Sequence, residues 1–168
     1  MPPVYDAPEF PEKRLNQGDV FERVRFVGRV ADRDEVDVAE LKGLVVAHSC
    51  DCDKFEEATE KGDLTDEELA RWPVAVAPLE SAEILSTSNL GHARSGRMPR
   101  YFFLPEEDGL EAMLADMWRV QPIPWTELAA CERLATLSVT WQKRLWIHIW
   151  ELHTRVPAAE VFREDVAQ

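Results

Sequence analysis

The stretch Leu41-Lys42-Gly43-Leu44-Val45-Val46-Ala47, which empties directly into His48-Ser49-Cys50-Asp51-Cys52-Asp53, constrains this chain more than any other. Leu41 to Ala47 is short, β-branched and almost uninterruptedly apolar, a pattern that predicts a central strand covered on both faces. Such a strand needs hydrogen-bonding neighbours at both edges. Val74-Ala75-Val76-Ala77-Pro78-Leu79 is a second run of the same kind, and Met98 to Leu104 gives a third through Tyr101, Phe102 and Phe103. Upstream, Val20, Val24, Phe26 and Val30 alternate imperfectly with Glu22, Arg23 and Arg25, which predicts a half-buried strand. Acidic residues 32 to 40 form the hairpin or loop after it.

Helical signals are fewer. Thr65-Asp66-Glu67-Glu68 has the spacing of a capping box, so a short helix is expected over 66 to 71, ended by Pro73. Ser86 to Gly96 reads as a polar loop. Met117 to Pro124 reads as a last strand, with Pro122 and Pro124 confining its end to a sheet edge. From Val139 to Arg155 the pattern turns helical, with Trp141, Leu145, His148, Ile149 and Leu152 at steps of three and four, and Trp146, Trp150 and His153 widening the stripe. That stripe is broad enough to serve both the domain and a partner subunit. Several short strands followed by an amphipathic helix predict a β-rich α+β fold, a small barrel or curled sheet. Residues 1–16, with Pro2, Pro3, Pro8 and Pro11, read as an extended arm, residues 17–156 as the domain and residues 157–168 as an acidic tail.

Composition limits the partners. Against 32 acidic residues stand 19 basic ones, a net charge of -13 that opposes sequence-independent binding to a phosphate backbone. The N-terminus lacks the basic and apolar regions of a signal peptide, and no apolar run approaches the roughly 18 residues of a membrane span. The expectation is a cytoplasmic protein with no membrane contact. Cys50 and Cys52, only two apart, are poorly placed to bridge each other, so the three cysteines read as reduced thiols.

Two places carry candidate chemistry. If residues 48 to 52 stay extended, His48, Cys50 and Cys52 share one face and Ser49, Asp51 and Asp53 the other. The first face has zinc-type ligands but needs a fourth, for which His92 would have to fold back. Cys50 also has candidate bases in His48 and His92, while Asp51 and Asp53 oppose thiolate formation. The simplest alternative is that the cysteines pack and the polar residues cap a loop. The second place is Gly91-His92-Ala93-Arg94-Ser95-Gly96-Arg97-Met98-Pro99-Arg100, the one concentrated positive segment. RNA cleavage by a ribose 2′-hydroxyl needs a base, an acid and a cation at the phosphate. His48 or His92 would move protons, Arg97 would stabilise charge, and Arg94 and Arg100 would bind substrate. The alternative is a solvated loop whose arginines pair with carboxylates. No cofactor is indicated.

Gln17-Gly18-Asp19-Val20-Phe21, the 43–48 run, the 74–79 run, Trp118 to Pro124 and Leu134-Ala135-Thr136-Leu137-Ser138 before the last helix follow one another as they do in the MazF/PemK family, which the chain resembles over about residues 15 to 155. The resemblance implies an SH3-like small barrel with a short inserted helix and a C-terminal amphipathic helix. It also implies a homodimer, formed through the 139–155 helix or a barrel edge, and a toxin-type endoribonuclease of a toxin-antitoxin pair. Family toxins carry Arg-Pro before the first long strand, where this chain has Leu41-Lys42. They carry Thr or Ser after the second, where Glu80 precedes Ser81. The active site is therefore altered, with His48, Asp51, Ser81, His92 and Arg97 as candidate catalytic residues. The other reading is a non-catalytic protein-binding or assembly module on the same fold.

Overall fold

The computed structural model describes residues 3–6, 15–29, 36–107 and 109–154. Residues 7–14 of the proline-rich arm, Val30, the start of the acidic hairpin and the 157–168 tail lie outside them. In chain order the elements are β1 (Tyr5–Asp6), β2 (Asp19–Arg29), β3 (Val36–Val45), α1 (Ser49–Lys61), α2 (Asp66–Arg71), β4 (Pro73–Ser81) and α3 (Thr87–Arg94). They continue with β5 (Tyr101–Leu104), β6 (Met113–Asp116), β7 (Gln121–Pro124), α4 (Trp125–Ala129), β8 (Arg133–Leu137) and α5 (Val139–Thr154).

The strands form one antiparallel sheet in the order β1-β8-β2-β3-β4-β6-β5, with β7 against the first half of β4 and β6 against its end. The fold is α+β and β-rich. Among the described residues no ladder joins β1 to β5, so the sheet is open there.

The expected coverage of β3 holds. Leu44 packs on one face with Val20, Ala77 and Leu79, beneath Trp141 and Leu145 of α5. Val45 packs on the other with Phe21, Val24 and Val76, beneath Phe55 of α1 and Leu128 of α4. Helices therefore sandwich the sheet. Between these faces Gly43 lies where a Cβ would come within 2.8 Å of Val76 Cγ1 and 2.9 Å of Val24 Cγ2, so only hydrogen fits.

The imperfect alternation of β2 also has a cause. Its register shifts between Phe21 and Val24, and Arg23 adopts a positive φ of 53°, the mark of a bulge. The extra residue returns Val24 and Phe26 to the face that Phe21 occupies. Beyond it the ladder reaches Arg29↔Val36, so β3 begins at Val36, well before the apolar run.

The capping box of α2 is formed as expected. Glu68 N–H donates to Thr65 Oγ1 at 3.2 Å and Thr65 N–H to Glu68 Oε2 at 2.9 Å. β7 pairs only with β4 among the described strands, consistent with its prolines. It is not the last strand, because β8 follows it. Residues 86–96 are not a loop: Ser86 Oγ accepts from Asn89 N–H at 3.4 Å and caps α3. Within the arm, Val4 and Tyr5 are buried and β1 pairs with β8. No described helix is long and apolar enough to cross a membrane.

Two outcomes test this core. Gly43→Ala should lower unfolding stability in urea by about 1–3 kcal/mol through overpacking, whereas Gly28→Ala, with open space around it, should change little. Burial holds the His148 imidazole below its ordinary pKa, against the Pro99 carbonyl and the nearby Glu151 charge, which both favour protonation. The unfolded chain then takes the proton first, so this group's share of stability is complete above roughly pH 6.5 and declines as the pH falls below it. Urea midpoints between pH 7.5 and 5 should show a fall that is shallower in His148→Gln.

Candidate functional site

At the end of β3 the N–H groups of Val46 and Ala47 both donate to the Ala75 carbonyl, at 2.9 and 3.2 Å, and the chain then turns into α1. His48 is the N-cap: its backbone is extended and its Nδ1 accepts from Cys50 N–H at 3.2 Å. Asp51 sits in the first turn and Lys61 in the last, both favourable to the helix dipole, and Gly62 closes the helix with φ 65°.

A helix here replaces the expected strand alternation, because side chains now turn by about 100° per residue. Cys50 is exposed, with its thiol 2.9 Å from His48 Nδ1 and 3.9 Å from Asp51 Oδ1. Cys52 faces inward against the core, and burial, reinforced by Asp19 and Asp53, pushes its thiol pKa up to about 12. The expected His48-Cys50-Cys52 metal face is thus divided. Among the described residues no three His, Cys, Asp or Glu side chains are placed to hold a metal ion.

Ser81 lies at the opposite end of β4 from Ala75, six residues away, or roughly 20 Å along an extended strand. It caps the turn Ala82–Ile84, accepting from Glu83 N–H at 3.3 Å. His92 is exposed on α3, whose Ala93 packs with Tyr101 and Leu114 on the β5–β6 side. Arg97 is exposed beyond Gly96, its N–H bonded to the His92 carbonyl at 2.9 Å. The five expected catalytic residues therefore divide into His48 and Asp51 at one end of β4 and Ser81 at the other, continuing into α3.

Arg100 differs most from its expected role. Its guanidinium bonds both oxygens of the fully buried Asp116, at 3.1, 3.2 and 2.6 Å, and lies over the rings of Tyr101 and Trp118. It is an internal counter-ion rather than a ligand for substrate phosphate. Arg94 is instead stacked on Phe103 with 5.2 Å from Cζ to the ring centroid.

Around Ser81 the structure assembles a group that the sequence reading did not. A cleft of about 460 Å³ is bordered by Glu22, Glu40, Lys42, Glu80, Ser81 and Glu111. Lys42 Nζ is 3.4 Å from Glu111 Oε1, and Arg119 pairs with Glu80. Of its four carboxylates Glu111, Glu80 and Glu40 pair with Lys42, Arg119 and Arg25, so the cleft keeps a modest negative balance through Glu22, which disfavours phosphate. A second cavity of about 310 Å³ shares Glu22 and Glu40 and adds the strained Arg23, Arg25 and Cys131. Charged residues at the outer ends of the two apolar runs are the only sequence signal for this cleft; the β3–β4 register, Lys42↔Leu79, brings them together.

Comparison with protein-family models finds none that matches this chain, and a search of curated proteins finds no significant relative.

Arg100→Ala should cost about 3 kcal/mol, toward the low end for orphaning a buried charge because the arginine is partly solvated. A urea titration that gives wild-type stability for this variant would contradict the counter-ion assignment.

Proposed function

We propose that this chain is a protein-binding module on an SH3-like, PemK-related scaffold, and that its docking surface is the exposed face of the β2–β3 hairpin with the carboxylate-lined cleft at its base. The observation that carries this reading is a patch of apolar side chains in water. Val27, Val36 and Val38 are 53, 65 and 55 % exposed. Val27 and Val38 are register partners, and Val36 lies two residues along the same face of β3. Farther along that face come the Arg25–Glu40 pair and then the cleft.

Apolar contacts next to carboxylates fit a partner segment that carries both aliphatic and basic side chains. The neighbouring β2 edge is closed to strand addition at Val27. Gln121 Oε1 accepts from Val27 N–H at 3.0 Å and Gln121 Nε2 donates to the Val27 carbonyl at 2.6 Å. The partner is therefore expected on the face of the hairpin rather than along its edge.

One observation favours a second reading, a toxin-type endoribonuclease. Lys42 and Ser81 border one cleft, and the family resemblance asks for a cation before the first strand and a hydroxyl after the second.

Induced expression and photo-cross-linking from position 38 separate the two. The binding reading expects intact cellular RNA, unchanged growth and a discrete protein adduct lost in Val27→Asp but retained in His48→Ala. RNA fragmentation that Lys42→Ala or Ser81→Ala abolishes would overturn it in favour of the nuclease.

A further inference from the structure

A groove of about 360 Å³ lies between the C-terminal end of α3, strand β5 and helix α5 and shares no lining residue with the carboxylate-lined cleft. Its wall is aromatic, with Tyr101, Phe102, Phe103 and Trp141. Its two cations are Arg94 and Arg144, one from each helix.

These two arginines differ from eight other described cations. Arg25, Lys42, Lys54, Lys61, Arg71, Arg100, Arg119 and Arg133 each have a carboxylate oxygen within 4.0 Å. Arg94 and Arg144 make no ion pair with a described residue. Each is held by a ring instead: Arg94 Cζ is 5.2 Å from the centroid of Phe103, and Arg144 Cζ 4.7 Å from that of Trp141. Stacking orients a guanidinium without neutralising it, so its donors stay available to an anion. The -13 of the whole chain does not cancel this locally, because salt screens charges beyond about 8 Å at physiological ionic strength.

One buried donor of the wall is unpartnered. Trp141 is 5 % exposed, and its buried Nε1 has no hydrogen-bond partner among the described residues. A buried indole donor ordinarily has one. The neighbouring His148 imidazole is already engaged by the Pro99 carbonyl at 2.9 Å. The groove also carries Glu151, seven residues beyond Arg144 on α5, about 10 Å along the helix axis.

We propose that this groove binds a nucleoside monophosphate, with the heterocycle against the aromatic wall and the phosphomonoester between Arg94 and Arg144. Two guanidinium charges match a phosphomonoester, which carries about -1.5 to -2 at neutral pH, better than a monocarboxylate. The groove volume falls in the range of small-ligand sites, roughly 300–1,000 Å³. Neither reading of the chain's main function is assumed.

Isothermal titration calorimetry on the full chain with AMP, GMP, CMP and UMP, beside adenosine and inorganic phosphate, tests this. At least one nucleotide should bind about tenfold or more tightly than both adenosine and phosphate, and Arg94→Ala or Arg144→Ala should each weaken it by at least about tenfold. Arg97→Ala, which does not border the groove, should bind as wild type, and circular dichroism should show all variants folded. Absence of binding by any nucleotide, phosphate binding as tightly as the nucleotides, or full affinity in the double variant Arg94→Ala/Arg144→Ala would overturn the assignment.

Discussion

The rest of the structure depends on one requirement: β3 must be covered on both faces while β2 and β4 close against it across a glycine. Leu44 and Val45 face opposite ways and are both fully buried, so the sheet needs an apolar layer on each side. Helix α5 supplies one layer and α1 with α4 the other. Gly43 lets Val24 and Val76 approach each other where any side chain would hold them apart. The bulge at Arg23 keeps Val24 and Phe26 turned toward that contact, which is why a non-glycine residue tolerates positive φ there. Among the described residues the same geometry sets no covering layer over the outer hairpin, where Val27, Val36 and Val38 are exposed.

Electrostatics follows from how an acidic chain uses few cations. Asp116 and Asp19 are fully buried, and each is supplied with donors. Asp116 takes Arg100. Asp19 accepts from Thr136 Oγ1 at 2.6 Å and Asn16 N–H at 2.8 Å, with Arg133 at 3.6 Å. Even so, burial outweighs these contacts and raises the Asp19 carboxyl above its ordinary value. With arginines committed in this way, the positive segment visible in the sequence does not act as a unit: Arg100 turns inward, Arg94 stacks on Phe103, and Arg97 faces solvent.

Much of the fold was legible because its signals are local. The Thr65–Glu68 box, the edge position of the Pro122–Pro124 strand, the double burial of the 41–47 run and the face of α5 each follow from spacings within a few residues. The elements that escaped reading depend on less distinctive chemistry. Helix α1 starts on a histidine cap, an unusual N-cap residue, and its apolar contribution to the core is little more than Cys52 and Phe55. Helix α3 has only one buried residue, Ala93, and a composition that reads as loop. The candidate site was less legible than the fold. His48, Cys50 and Asp51 do come together, but Ser81 and His92 belong to another end of the sheet, because antiparallel β4 carries the chain away from the β3 terminus.

Sequence by itself determined the β-rich class, the central strand, the closing amphipathic helix and the acidic balance that works against unassisted phosphate binding. Those properties reside in side-chain periodicity and formal charge, which need no knowledge of neighbours. Tertiary structure alone decided which charges stay unpaired, that Cys50 meets His48 while Cys52 turns into the core, and that Lys42, Glu80 and Ser81 share a cleft. It also decided that Arg94 and Arg144, fifty residues apart, border one groove. Pairing, burial and convergence are relations between residues distant in the chain, set by strand register and helix placement, and no local pattern encodes them.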